Sequence, residues 1–239
     1  MAPELMTDAP PLAPRPRLHA LIPCAGQGSR ARTAVPKQYQ PLAGRPLVMH
    51  TLGAFAAVPR LASVLVAVAP GDSALDTLGA PFSIAHCGGE TRAATVCNGL
   101  RELRGRGAAL DDWVLVHDAA RCLVTPALVD RLIDACLGDE VGGLLAQPLA
   151  DTLKHGPQGR SQATLPREGR WLAQTPQMFR LGVLARALER AGDGVTDEAS
   201  AIEAMGLQPL LVAGSPQNFK LTWPDDFALA EALLRSRQA

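Results

Sequence analysis

Two glycines and three cations fall within one short segment near the start of this chain: Gly26 and Gly28, then Arg30, Arg32 and Lys37. The segment follows the apolar run from Leu18 to Ile22 and ends at Tyr39. An apolar strand that breaks into glycines directs backbone N–H groups at whatever lies beyond the strand end, and a chain can cradle phosphate that way without side chains. Gly26-x-Gly28-x-x-Ala31 also fits the loose dinucleotide fingerprint. That reading requires a carboxylate about 20 residues further on to hold ribose hydroxyls. None is there: between Ala9 and Gly71 the chain has no Asp or Glu, while it carries Arg15, Arg17, Arg30, Arg32, Lys37, Arg45 and Arg60. A one-signed segment inside a chain of zero net charge faces an anion. The P-loop reading fails as well, because Gly-Lys-Ser/Thr does not occur. What remains is a Gly loop, Pro23, Cys24, Ala25, Gly26 and Gly28, with Arg30 and Lys37 seven residues apart on a segment that Pro36 keeps from being helical, and its natural ligand is a triphosphate.

Other residues with chemical potential lie downstream. Gly88-Gly89-Glu90-Thr91-Arg92 opens a helix and is a second glycine-plus-cation start. It can serve as a plain turn, or, with Arg92 and Thr95 in the first turns, as a site for a base or a phosphate. Asp118 follows the run Trp113 to His117, and carboxylates at strand ends in α/β sheets point into the ligand crevice. Next to a triphosphate Asp118 is a candidate for holding Mg²⁺, which favours one or two carboxylates plus phosphate oxygens. The alternatives are that it caps the helix starting near Pro126 or pairs with Arg121. Of the 23 basic residues only Lys37, Lys154 and Lys220 are lysine. A lysine kept in so arginine-rich a chain marks a place for a compact point charge. Cys24 lacks evident His and acid partners and is expected to pack rather than to attack.

The elements that must position these residues alternate between strand and helix. Helices are expected over Pro46 to Val58, after Pro70-Gly71-Asp72-Ser73, from Arg92 with Val96, Leu100 and Leu103 on its apolar face, from near Pro126, over Leu181 to Arg190, over Thr196 to Met205, and from Trp223-Pro224-Asp225-Asp226. Strands are expected at Ala62 to Ala69, Phe82 to Cys87, Trp113 to His117, Val141 to Pro148, Gln208 to Val212 and Asn218 to Leu221. From Asp151 to Gln174 short alternating pieces separated by Gly/Pro turns predict β-hairpins instead of another βα unit. Such an arm, at about residues 150–173, has too little core to stand alone and is expected to lean on a partner subunit.

Length and composition bound the whole. At 239 residues one domain over residues 17–239 is expected, preceded by a proline-rich floppy tail at residues 1–16. Hydrophobic content of 47% and charge of 19% exclude disorder for the body, and the longest apolar runs are too short to span a bilayer. Five cysteines with no C-x-x-C pair argue against a disulfide framework or a zinc site and for a reducing cytoplasm. Neither a nucleic-acid nor a membrane partner is expected.

The run from Ile22 to Arg30 with Pro36-Lys37-Gln38-Tyr39 resembles the signature of 2-C-methyl-D-erythritol 4-phosphate cytidylyltransferases. So do Val116-His117-Asp118-Ala119-Ala120-Arg121, Asp151-Thr152-Leu153-Lys154, Gln174-Thr175-Pro176-Gln177, Thr196-Asp197-Glu198-Ala199-Ser200 and Phe219-Lys220-Leu221-Thr222. The resemblance implies a Rossmann-like nucleotidyltransferase with a mostly parallel mixed sheet flanked by helices and a protruding β-hairpin arm, acting in isoprenoid biosynthesis. It implies a homodimer whose arms complete each other's sugar-phosphate site. It puts Arg30 and Lys37 on the triphosphate of CTP, Gly88, Gly89, Glu90 and Thr95 near cytosine and ribose, and Asp118 and Lys220 around Mg²⁺ and the reacting phosphates. Arg121, Thr152 and Arg167, with Asp118, fall where the sugar-alcohol phosphate is held. Three positions depart from the usual pattern: Cys24 replaces alanine, Glu90 replaces aspartate, and Pro166 precedes Arg167 where aspartate often does. A ribitol 5-phosphate cytidylyltransferase, sharing the loop, is the neighbouring alternative; a non-catalytic nucleotide-binding regulator is a more distant one.

Overall fold

The computed structural model describes residues 15–26, 36–77 and 81–237. In chain order the elements are β1 (Leu18–Pro23), the two-residue strands β2 (Pro41–Leu42) and β3 (Arg45–Pro46), α1 (Leu47–Ala56), β4 (Leu61–Ala67), β5 (Ser83–Ala85), α2 (Arg92–Gly105) and β6 (Trp113–Val116). Then come α3 (Pro126–Cys136), β7 (Gly142–Pro148), β8 (Leu153–His155), β9 (Ala163–Leu165), β10 (Trp171–Arg180), α4 (Leu181–Ala191), α5 (Glu198–Glu203), β11 (Leu210–Ala213) and α6 (Asp225–Ser236).

Seven strands form one sheet in the order β11-β7-β10-β6-β1-β4-β5. Every pairing is parallel except those of β10, which runs antiparallel to both β6 and β7. The sheet is apolar on both faces because successive strand residues point opposite ways. Ala20 and Ile22 of β1, Val64 and Val66 of β4, and Trp113 and Leu115 of β6 join one core with Val48, Leu52 and Phe55 of α1 and Val129, Leu132 and Ile133 of α3. The intervening Leu21, Leu65, Val114 and Val116 join the opposite core with Val96, Leu100 and Leu103 of α2 and the inner residues of α4 and α5. Phe55 is fully buried, and truncating it to alanine would cost roughly 3–5 kcal/mol. A third cluster, Leu42, Leu47, Leu123, Leu221, Ala230 and Leu234, seats α6 against the β2–β3 turn. No helix among the described residues is long and apolar enough to cross a membrane.

The structure departs from the sequence expectations in three places. Residues 74–77 are turns where a short helix was expected, and residues 78–80 lie outside the described residues. The stretch from Asn218 to Leu221 is not a strand of the sheet; the Leu221 N–H donates to the Ala120 carbonyl and the Leu221 carbonyl accepts from Lys37 Nζ, between the β6 loop and α6. The long strand β10 extends six residues beyond Gln174, where the hairpin reading stopped. Pro176 disguised it, since proline within a run argues against a central strand. Here the β10–β7 register shifts between Ala173 and Gln177, so Pro176 sits in a bulge that needs no ladder donor.

Candidate active site

The site grows from the C-terminal ends of the parallel strands. Past β1, Cys24 donates its N–H to the Ala67 carbonyl at 2.8 Å, carrying the sheet pairing one residue into the loop. Lys37–Tyr39 is a single 3-10 turn. From it, Gln38 Nε2 donates to the carbonyls of Cys24 at 3.1 Å and Gly26 at 2.9 Å, tying the two ends of the loop together. Tyr39 Oη donates to Asp72 Oδ2 at 2.6 Å, anchoring the turn to the connection after β4. Cys24 is buried, and burial pushes its thiol up to about 12, so it is no thiolate nucleophile at neutral pH and acts as a packing residue.

The second wall is the start of α2. Thr91 caps the helix, its hydroxyl accepting from Ala94 N–H at 3.0 Å. Thr95 Oγ1 accepts from Gly89 N–H and donates to the Thr91 carbonyl, both at 3.0 Å, so this hydroxyl shapes the glycine turn. A Cβ on Gly88 would lie 2.8 Å from the Val68 carbonyl and overlap Ala25 Cβ, so only glycine lets the two loops touch.

Between the walls sits Asp118, one residue beyond His117 at the end of β6. Its N–H donates to Thr175 Oγ1 at 3.0 Å, and that hydroxyl donates to His117 Nδ1 at 3.0 Å. His117 Nε2 donates in turn to the Arg121 carbonyl at 3.2 Å. Burial pushes His117 down to about 3, so the ring is neutral and fixes the turn as a hydrogen-bonded brace. The Asp118 carboxylate receives Arg92 Nε on Oδ1 and Lys220 Nζ on Oδ2, both at 2.8 Å, and Arg121 Nε lies 3.9 Å away. Burial alone would raise this carboxyl; Arg92 and Lys220 outweigh it and hold Asp118 well below the usual carboxylate range. The alternative of a helix cap is excluded, since Thr125 caps α3. The pairing alternative holds: Arg121 Nε stands at ion-pair distance from Asp118 Oδ2, and Arg92 and Lys220 join it at shorter range.

Arg92 is the functional residue that motif reading undervalued. Its Nη1 and Nη2 donate to Glu198 Oε1 and Oε2 at 2.7 and 2.9 Å, a bidentate clamp on a fully buried carboxylate. The glycine-plus-cation pattern flagged Arg92, but nothing in the sequence links it to Glu198.

A cleft of about 650 Å³ joins these pieces, lined by Pro23, Cys24, Ala25, Gly26, Lys37, Gly88, Gly89, Glu90, Thr95, Asp118 and Lys220 among others. Of the sequence-predicted site residues, those eleven come together. Gly28 and Arg30 lie outside the described residues. Arg121 is next to the cleft lining, its guanidinium donating to the carbonyls of Asn218 and Ala173, and its buried Nε, 3.9 Å from Asp118, has no hydrogen-bond partner among the described residues. Thr152 and Arg167 are exposed at the root of the β8–β9 hairpin, away from the cleft lining, with Arg167 donating to the Ala150 carbonyl.

No group of three or more His, Cys, Asp or Glu capable of holding a metal occurs among the described residues. Asp118 still fits Mg²⁺ when phosphate supplies the other oxygens: it is ionised, and each of its oxygens keeps lone-pair capacity beyond the one short contact it makes at 2.8 Å.

Comparison with known proteins bears on the fold and the family. The family model described as IspD, 2-C-methyl-D-erythritol 4-phosphate cytidylyltransferase, matches residues 18–236. The bifunctional enzyme IspD/IspF of Albidiferax ferrireducens is 63% identical over 98% of this chain, which spans 58% of that protein's length. The 2-C-methyl-D-erythritol 4-phosphate cytidylyltransferase of Ralstonia nicotianae is 56% identical over 92% of this chain and 93% of its own. A crystal structure of a 4-diphosphocytidyl-2C-methyl-D-erythritol synthase superposes with a TM-score of 0.83 at 40% identity, covering 93% of this chain and all of the other. The chain therefore belongs to the 2-C-methyl-D-erythritol 4-phosphate cytidylyltransferase family.

Proposed function

We propose that this chain joins CTP and 2-C-methyl-D-erythritol 4-phosphate to give 4-diphosphocytidyl-2-C-methyl-D-erythritol and pyrophosphate. An oxygen of the sugar phosphate attacks the α-phosphorus of CTP in line, the bond from that phosphorus to the oxygen bridging to the β-phosphate breaks, and pyrophosphate leaves. The observation that carries the reading is the cleft itself, where Lys220 pairs with the Asp118 carboxylate and Lys37 shares the lining with the close Gly88–Gly89 backbone. No covalent enzyme intermediate is needed, which agrees with a buried, protonated Cys24. Rate then comes from positioning and from cations aimed at charge that grows on the phosphate oxygens.

Lys37 and Lys220, with Arg30, are the cations assigned to the triphosphate and the reacting phosphates; Pro23 to Gly26, Gly88, Gly89, Glu90 and Thr95 are assigned to the nucleotide. Asp118 would hold Mg²⁺, which when bound supplies further neutralisation of phosphate charge. Arg121, Thr152 and Arg167 are assigned to the sugar phosphate, the last two through the arm of a second copy in a homodimer. Supporting that arrangement, only Leu153 and Leu165 are even half-buried between Asp151 and Ala173, and Leu172 is 53% exposed. A cytoplasmic enzyme agrees with five unpaired cysteines.

The test is pyrophosphate release across a matrix of CTP, UTP, ATP and GTP with methylerythritol phosphate or ribitol 5-phosphate, in Mg²⁺. Fastest release is expected from CTP with methylerythritol phosphate. Faster turnover of ribitol 5-phosphate would overturn the substrate assignment.

A further inference from the structure

We infer that Glu198 is a positioning residue for this reaction: by occupying both Nη atoms of Arg92 it keeps that guanidinium turned on Asp118 and off the incoming triphosphate. The inference rests on the activity proposed above. Arg92 lines the cleft, and an unclamped guanidinium there would present its fork to phosphate, the bidentate partner it fits best. Instead the fork is spent on Glu198, and only Nε reaches the site, 2.8 Å from Asp118 Oδ1. Glu198 has no freedom to let go. It is fully buried at the first residue of α5, whose capping residue Asp197 accepts from Gln177 Nε2 at 2.9 Å, while Gln177 Oε1 accepts from Ala199 N–H at 2.7 Å. Gln177 belongs to β10, so the sheet itself sets where the carboxylate stands.

Stability alone is a poor reason for such a pair. A buried ion pair is often no better than well-packed apolar residues of the same volume. Its geometry gives a reason: the triphosphate is then met by Lys37 and Lys220, while Arg92 keeps Asp118 in place beside Lys220.

The test uses Glu198→Gln, which keeps the shape and one acceptor but removes the charge and one arm of the clamp. The expected result is a kcat for pyrophosphate release lower by about 10- to 100-fold, the usual effect of losing an outer partner of a site. The KM for CTP should be unchanged or lower, and calorimetric CTP binding without sugar phosphate unchanged or tighter, because the freed fork can reach phosphate. Arg92→Lys, which keeps the charge but has no fork, should show the same fall in kcat, and thermal melts report the fold of each. Wild-type kcat in Glu198→Gln, or a raised KM at unchanged kcat, would overturn the positioning role alone. Loss of fold in both variants would make the pair structural and overturn it too. A wild-type protein that releases no pyrophosphate from CTP and methylerythritol phosphate would instead overturn the activity and this inference with it.

Discussion

Asp118 is the residue on which the charge of the cleft converges, and its neighbours show why the site is built from residue types rather than from one reactive group. Lys220 offers a point charge, Arg92 a planar fork already committed to Glu198, and Thr175 a hydroxyl that fixes the backbone N–H. The same economy of space governs Gly88. Gly88→Ala must separate the Ala25 loop from Val68, and the expected result is a large loss of CTP affinity with the far end of the molecule unaffected. Calorimetric titration of CTP, with a thermal melt as control, checks this; unchanged affinity would mean the two loops need not touch. Asp118 was legible as a carboxylate at a strand end, and Lys37 and Lys220 as lysines kept in an arginine-rich chain, although the strand expected around Lys220 is absent. The Arg92–Glu198 clamp was not, since its partners stand 106 positions apart and a charge pair leaves no periodic trace. Thr95 was read as a nucleotide contact, yet its hydroxyl also shapes the Gly89 turn, a distinction only geometry makes.

At the scale of elements, the apolar strands and the α2 helix were legible because a two-sided core imposes continuous hydrophobic runs on strands and a 3.6-residue stripe on helices. β10 was only half legible. Its first residues alternate like a hairpin and its Pro176 argues against a ladder, while the bulge that accommodates both depends on β7, distant in sequence. The β8–β9 hairpin was legible, and its poverty of buried surface leads to a test. If the proposed homodimer forms through this arm, replacing residues 153–165 by a short glycine linker leaves the melting temperature of the body nearly unchanged while the sedimenting species falls from dimer to monomer. An unchanged dimer mass would show that another surface holds the copies together.

At the scale of the whole molecule, the two ends of the sheet do different work. At the end opposite the cleft, buried Asp112 accepts from the N–H groups of Arg17 and Ala109 at 2.8 Å, from His19 at 3.1 Å and from the Arg17 guanidinium at 3.1 Å, stitching the chain start to the β6 entrance. Burial alone would raise its carboxyl; these donors outweigh it and pull it from 3.8 down to about 2. A depressed carboxyl adds stability that is fully present above pH 3.8 and is lost as the pH falls through about 2. Asp112→Asn is therefore expected to unfold more easily at neutral pH by about 1–3 kcal/mol. The gap from wild type should shrink between pH 4 and pH 2, and urea titrations across that range check it. A gap independent of pH would contradict the assignment.

At the cleft end of the molecule, the proposed reaction has a triphosphate gripped by cations drawn from distant segments while nothing in the protein reacts covalently. The most direct measurement is pyrophosphate release from CTP and methylerythritol phosphate by wild-type protein and by Lys37→Ala at equal folded concentration. Turnover in the variant is expected to be lower by about 10² to 10³, by analogy with removing one oxyanion-hole donor. Wild-type turnover in Lys37→Ala would contradict it.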